Sequence, residues 1–415
     1  MTEAELVVIG GGAAGMMAAG VAANSGVSVV LLEPQRKLGR KLAITGKGRC
    51  NLTNNCDIEE FIENVPRNGR FLFPALTRFG TQETMEFFEV LGVPLKTERG
   101  KRVFPRSDRA SDLVAALEGF VRGAGARVVQ ARALGIVRAQ SGEVRAVLTD
   151  SGEITCRAAA ICTGGLSYPK TGSTGDGYRL ARECGHSVTE LLPSLVPLES
   201  DDEFCGQMQG FSLKNVYLSV CEGESRKPIF GELGELLFTH FGVSGPLVLS
   251  ASAHMRNFKS KRYRLEIDLK PGLDEKKLDA RLLRDFEKYK NRDFRNALTD
   301  LAGRAMIPVL IELSGIDPDT KVNSITREQR HGLAELFKRF PVSVRGTRVI
   351  DEAVVTSGGV SVREIDPSTM ESKLVPGLYF AGEVLDIDAY TGGFNLQIAW
   401  STAHLLGQAV SGGLK

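Results

Sequence analysis

A chain of 415 residues, 42% hydrophobic and 25% charged, has the profile of an ordinary globular protein of two or three domains with a large core. Its 52 basic and 50 acidic side chains leave a formal charge of +2, which gives no reason to expect a nucleic-acid partner or an anionic membrane surface. Seven cysteines without a CxxC pair point away from a zinc or thioredoxin-like site and towards reduced thiols in the cytoplasm, and five scattered histidines point away from a metal centre.

The start, "MTEAELVVIGGG", is acidic before a short apolar run and does not read as a secretory leader. No run of about 18 apolar residues occurs, so no membrane-spanning helix is expected. "AELVVIG" reads as a buried parallel strand, "AAGMMAAGVAANSG" as a helix ending at Gly26, and "VSVVLLE" as a second buried strand. Together they form a β-α-β unit of about 30 residues. "GRKLAITGKGRCNLTNNCD" (39–57) reads as a basic, polar loop. "TQETMEFFEVLG" and "SDLVAALEGFVRGAG" have helical spacing, the second with Ser111 as its cap. Strands follow in "ARVVQARALGIVRAQ", "VRAVLTDSG" and "ITCRAAAICTGG", and then a glycine-rich loop, "TGSTGDG", enters a helix.

From about residue 193 the pattern alternates like antiparallel hairpins, and from 273 it turns charged and helix-periodic. Strand character resumes near 341, "GLYFAGEVLDID" ends a late strand in glycine, and "GGFNLQIAWSTAHLLGQAVSGG" is a closing helix. The expected organisation is a discontinuous α/β domain, residues 1–192 and 345–415. Its insertion has a β-rich part, 193–272 and 326–344, and a helical part, 273–325.

Gly10, Gly12 and Gly15 make G-x-G-x-x-G between strand and helix. The first glycine permits the tight turn, the second lets backbone approach a pyrophosphate, and the third lets helix pack close to strand. The helix N-terminus offers free N–H groups to phosphate, at Ala13 and Ala14 among others. Glu33, followed by Pro34, ends the second strand 18 residues after Gly15, where its carboxylate can accept ribose hydroxyls and repel a 2′-phosphate. The turn alone leaves NAD and FAD open. Three later features favour FAD. Thr163-Gly164 follows an apolar strand, Gly382-Glu383 ends a late one, and Gly393-Phe394-Asn395-Leu396 starts the closing helix. That helix N-terminus would face the flavin N1–C2=O edge.

The motifs "GGGAAG", "GRKLAITGKGRCNLTN", "CTGGLSYPKTGSTGDGY", "LLFTHFGVSGP", "DEAVVTSGGVSVREIDPSTMESK" and "GLYFAGEVLDIDAYTGGFNLQIAWSTA" carry a resemblance over essentially the whole chain. It resembles the HI0933-like family of bacterial flavoproteins, also called BaiN-like or aminoacetone-oxidase-like. The resemblance implies non-covalent FAD in a glutathione-reductase-like Rossmann fold with a β-barrel-like and helical insertion. It implies an oxidoreductase, either a reductase of conjugated carbonyls or an amine oxidase.

Flavin would carry the redox chemistry by hydride transfer at N5. The basic loop is the candidate lining. Arg40, Lys41, Lys47 and Arg49 are placed for pyrophosphate or an anionic flavin, and Thr45, Gly46 and Asn51 for the ring. Cys50, beside Arg49, is a candidate redox thiol. His240, Tyr390 and Tyr168 are candidate proton donors. Gly242-x-Ser244 is not a nucleophile elbow, so a hydrolase is not expected. No second glycine fingerprint follows a strand, so NAD(P)H would dock only transiently as electron donor. The leading expectation is NAD(P)H-linked reduction of a small or medium organic substrate. An O2-using amine oxidase is one alternative, and a flavin-bearing RNA-modification protein, suggested by the local basic run "KYKNRDFR", is another. A non-catalytic flavin scaffold is a third.

Overall fold

The structure is a computed structural model that describes residues 2–225 and 227–413. The chain divides into two compact units, Met1–Ser194 with Ile350–Lys415, and Leu195–Val349.

The first unit is built on a five-stranded parallel sheet. In spatial order its strands are Leu378–Phe380, Ala158–Ile161, Leu6–Ile9, Val29–Leu32 and Arg127–Val129, every neighbour parallel. The first four are buried along their whole length, which is why they read as unbroken apolar runs. The helix Ala13–Asn24 connects the first two strands in chain order and is buried on all faces from Ala14 to Ala23. Small residues let it pack that closely: a Cβ on Gly20 would meet the Phe120 ring at 2.3 Å, and one on Gly407 would meet Val21 at 2.8 Å. Those contacts bring it against the helices Ala110–Gly123 and Phe394–Gly413. Ser111 is not the cap expected of it. The helix starts two residues earlier, at Ala110, with Arg109 at the cap position and no side-chain cap bond.

The closing helix positions the 45–54 segment. Gln397, fully buried, accepts from Thr53 Oγ1 at 2.5 Å and donates to Thr84 Oγ1 at 2.8 Å and Ser401 Oγ at 2.9 Å. The Trp400 indole donates to Leu52 O at 2.9 Å.

The second unit has a seven-stranded sheet flanked by helices. Its terminal strands, Phe340–Val344 and Gly346–Thr347, are separated in sequence only by Arg345, so the sheet must curl back on itself like a barrel. Leu265 and Ile267 of the sheet share one core with Leu278, Leu282 and Phe337 of the helices Glu275–Lys288 and Arg327–Lys338. The helical stretch read as a separate part, 273–325, is therefore not a compact unit of its own, because its apolar stripe is what covers the sheet.

Candidate dinucleotide and flavin site

Three strand ends of the first unit meet at the N-terminus of the Ala13–Asn24 helix. Gly10 (φ +106°) leaves no room for a side chain, since a Cβ would lie 2.7 Å from Cys162 O. A Cβ on Gly15 would lie 1.7 Å from Gly10 O, so helix and turn touch through backbone alone. Gly382 (φ +78°) packs on Ala14, where a Cβ would come to 2.9 Å. Gly12 differs, with open space on the side where a Cβ would point. This crevice at the carboxyl ends of parallel strands, facing a helix N-terminus, is where α/β folds bind dinucleotides.

Glu33 closes one side. Its Oε2 accepts from Gly11 N at 2.8 Å and its Oε1 from Gln35 N at 2.9 Å, which fixes the carboxylate and leaves each oxygen a further lone pair. On the other side Lys41, on the short helix Arg40–Ile44, donates to Ser167 Oγ at 2.6 Å and pairs with Glu383 Oε2 at 2.7 Å. Glu383 Oε1 also accepts from Thr356 N at 2.9 Å. Gly164 (φ +71°) lies against this cluster, with Glu383 Oε2 at 3.8 Å from the position of a Cβ. Among the described residues Thr163 Oγ1, next to Gly164, and Asn51 Oδ1, in the basic loop, are buried without a hydrogen-bond partner. Buried polar atoms are normally satisfied, so these two are open to a polar ligand.

Gly46 (φ +56°) and Lys47 (φ +58°) make a left-handed turn after Thr45, whose hydroxyl donates to Leu42 O at 2.7 Å. Gly393 (φ +102°) touches strand backbone, since a Cβ would sit 2.3 Å from Thr53 O. Phe394 turns into the core, edge-on to Phe61 at 5.2 Å, so its backbone rather than its ring faces outward chemistry. Asn395 clamps the preceding loop, accepting from Ala389 N at 2.9 Å and donating to Ala389 O at 2.7 Å. The backbone N–H groups of 394–396 head the closing helix and have no partner within it. Leu396 and Pro34 contribute no polar side-chain group.

Two expectations fail on geometry. Arg49 does not point its charge into the crevice. It pairs with Glu98 at 2.5 Å and Asp108 at 2.6 Å and lies over the Phe104 ring, 4.2 Å from its centre. Cys50 is fully buried, and burial pushes its thiol up to about 12, so it is held protonated and does not supply a reactive thiolate. Adjacency to Arg49 in sequence gave the thiol no contact with its charge. His240 lies exposed in the second unit, in the turn between strands Phe230–Thr239 and Gly242–Ser244. Tyr390 is half-buried in the first unit, its N–H bonded to Asn64 O at 3.0 Å.

The structure adds groups that spacing did not single out. Ser167 and Thr356 complete the Lys41–Glu383 cluster. Asp386, buried, pairs with Arg67 at 3.1 Å, and Asp388 accepts from Ser194 Oγ at 2.9 Å and Ser357 Oγ at 2.8 Å. The sequence signal for the two aspartates was their place in "LDIDAYTGG", directly before the closing helix. His186 lies between Glu364 (3.1 Å) and Ser372 Oγ (2.8 Å), an order that resembles a hydrolytic triad. Ser372 Oγ already accepts from Leu374 N and Val375 N and is buried, so this chain of bonds is structural. Among the described residues no group of three or more His, Cys, Asp or Glu is placed to hold a metal, and no helix is long and apolar enough to cross a membrane.

A Rossmann-type FAD-binding domain with this crevice defines the class: an FAD-dependent oxidoreductase. The family described as HI0933-like protein Rossmann domain matches residues 4–409, and the chain belongs to that family. It is similar to the 3-dehydro-bile acid delta(4,6)-reductase of Clostridium scindens, 31% identical over 97% of this chain and 98% of that one. It is also similar to a ribosomal RNA dihydrouridine synthase of Haemophilus influenzae, 31% identical over 98% of both chains. In fold it resembles the 3-ketosteroid delta1-dehydrogenase of Sterolibacterium denitrificans, with a TM-score of 0.54, 12% identity and 100% of each chain covered.

Proposed function

We propose that this protein reduces a carbon–carbon double bond conjugated to a carbonyl in a small or medium organic molecule, with NAD(P)H as a transiently docking electron donor. One observation carries the reading. The names of two full-length relatives, one acting on a bile acid and one on uridine, share a single bond change, the saturation of a ring C=C next to a carbonyl.

Bound non-covalently, FAD supplies the hydride chemistry. The residues that would hold it are those already gathered at the strand ends. Gly10 and Gly15 shape the turn by close backbone packing, Gly12 leaves open space through which backbone would approach the pyrophosphate, and the N–H groups at Ala13 and Ala14 would face its charge. Glu33 offers its remaining lone pairs to the adenosine ribose. Lys41, Glu383, Thr163 and Gly164 would take the ribityl and phosphate side, with Thr45, Gly46 and Asn51 towards the ring. The N–H groups at the start of the closing helix would hold the carbonyl edge of the ring, where a helix N-terminus favours negative charge. Tyr390 is the nearest phenol to that helix start in sequence and is the proposed proton donor. The seven buried free thiols fit a reducing compartment, the cytoplasm.

A second reading has its own support in the Haemophilus influenzae relative: the conjugated carbonyl would be a uracil within RNA. The basic run of the insertion favours the small molecule instead. Within it Lys288 pairs with Asp300, Lys290 with Glu287 and Arg295 with Asp319, while Arg292 lies over the Tyr289 ring, 4.9 Å from its centre, so three of the four cations already have an acidic partner. The FAD-loaded protein, given NADPH or NADH, should saturate a 3-keto-4-ene steroid such as 4-androstene-3,17-dione, detected by mass. Saturation of uridine in ribosomal RNA but not of the steroid would select the second reading. Neither product with either nicotinamide would refute both.

A further inference from the structure

Tyr168 stands apart from the other tyrosines. Its backbone is left-handed (φ +53°, ψ +59°), a conformation that is costly for a bulky non-glycine residue and persists only where the surroundings impose it. They do so from both sides. Before it, Leu166 N and Ser167 N donate to Thr356 Oγ1 at 2.7 and 3.3 Å, and Ser167 Oγ accepts from Lys41 at 2.6 Å and donates to Glu383 at 3.2 Å. After it, the N–H and hydroxyl of Thr171 both donate to Tyr168 O, at 2.8 and 2.7 Å. Among the described residues no side-chain bond of Tyr168 offsets that strain. The residue is 36% exposed, and among the described residues its hydroxyl has no partner.

The course of the loop indicates what the ring meets. Ser167 belongs to the Lys41–Glu383 cluster at one end of the crevice. Five residues on, Gly172 lies beside Gln35, with 3.6 Å between its Cβ position and Gln35 Cγ, and Gln35 N is bonded to Glu33 at the other end. The loop therefore runs the length of the proposed FAD site. We infer that the Tyr168 ring packs on bound FAD and that its strained backbone is retained for that contact. This rests on the FAD site proposed above. Aromatic side chains bury large area per residue and stack on planar rings, so the contact contributes to cofactor affinity rather than to the fold.

The test compares Tyr168→Gly and Tyr168→Phe with the wild type in two measurements. One is the thermal midpoint of the flavin-free protein. The other is FAD affinity by fluorescence titration. Glycine accepts the left-handed backbone and removes the ring. It should raise the flavin-free midpoint by about 1–3 °C and weaken FAD binding by roughly tenfold or more. Phenylalanine should leave both within about twofold or 1 °C of wild type. A lower flavin-free midpoint in the glycine variant would mean that the ring packs for the fold, and would overturn the inference. So would unchanged FAD affinity. A wild-type protein that binds no FAD would overturn the site itself along with this contact, an outcome visible before any variant is made.

Discussion

Lys41 shows how the site works at the scale of single residues. Its ammonium bridges Ser167 and Glu383, half-buried, and so ties the basic loop to two strand ends more than a hundred residues away. Lys41→Met should keep the fold and weaken FAD binding by about 10–100-fold, since charge-assisted bonds to phosphate or ribityl oxygens are among the stronger ones. Equilibrium dialysis against FAD measures this, and an unchanged affinity would remove Lys41 from the site. Gly10 and Gly15 were legible in sequence because close backbone packing at a strand–helix turn demands glycine, and Glu33 because it ends the adjacent strand at the usual spacing. Arg49 and Cys50 were misread because charge and reactivity depend on partners and burial, which neighbours in sequence do not reveal. His404 carries a second residue-scale prediction. It stacks on Phe79 at 4.2 Å with Nδ1 buried and unpartnered, and burial lowers it to about 4. A histidine kept neutral in the fold binds its proton more readily when unfolded, so stability is full above the ordinary pKa near 6.5 and is lost as pH falls towards about 4. His404→Phe should flatten that acid limb by on the order of 1–3 kcal/mol, read from urea unfolding at pH 7 and pH 4.5. An equally steep limb in the variant would show that other groups carry it.

Among the elements, the closing helix does most to build the site. Gln397 joins it to Thr53 and to the helix Thr81–Val90, and Trp400 joins it to Leu52, so the segment carrying Asn51 cannot shift independently of the Gly393–Phe394 turn. Gln397→Leu leaves several buried groups unpaired and should cost roughly 2–4 kcal/mol in denaturant unfolding, with FAD binding weakened as a consequence. A loss below about 0.5 kcal/mol would mean that the helix is held by apolar packing alone. The sequence pattern showed this helix and the first β-α-β unit because long apolar periodicity and a glycine turn are local signals. It showed the 39–57 stretch only as a loop. The helix Arg40–Ile44 there is short, begins after a left-handed Gly39, and has only Leu42 buried, too little to leave a periodic signature.

For the whole molecule, one chain of pairing explains how a long insertion is tolerated. Leu192–Ser194 pairs antiparallel with Val355–Ser357, Ser194 opposite Val355, so the insertion leaves and re-enters the first unit at neighbouring points. A chain in which residues 195–349 are replaced by a short Gly/Ser linker should therefore fold and bind FAD, as judged by circular dichroism and flavin absorbance. An insoluble or flavin-free product would show that the first unit depends on the second. The discontinuous Rossmann fold was legible because its last elements return to strand-end motifs of the same kind as the first. The shared core of sheet and helices in the insertion was not, because each part has its own periodicity and only tertiary packing joins them.

Reduction of a conjugated carbonyl compound is read out by an anaerobic redox cycle. FAD-loaded protein under nitrogen is bleached with NADPH or NADH, and 4-androstene-3,17-dione is then added while absorbance near the flavin maximum is followed. The expected result is bleaching by a nicotinamide and recovery of colour on adding the enone, with one equivalent of saturated product. Flavin that ignores both nicotinamides, is bleached by a primary amine such as aminoacetone and recovers only on admitting oxygen would contradict it.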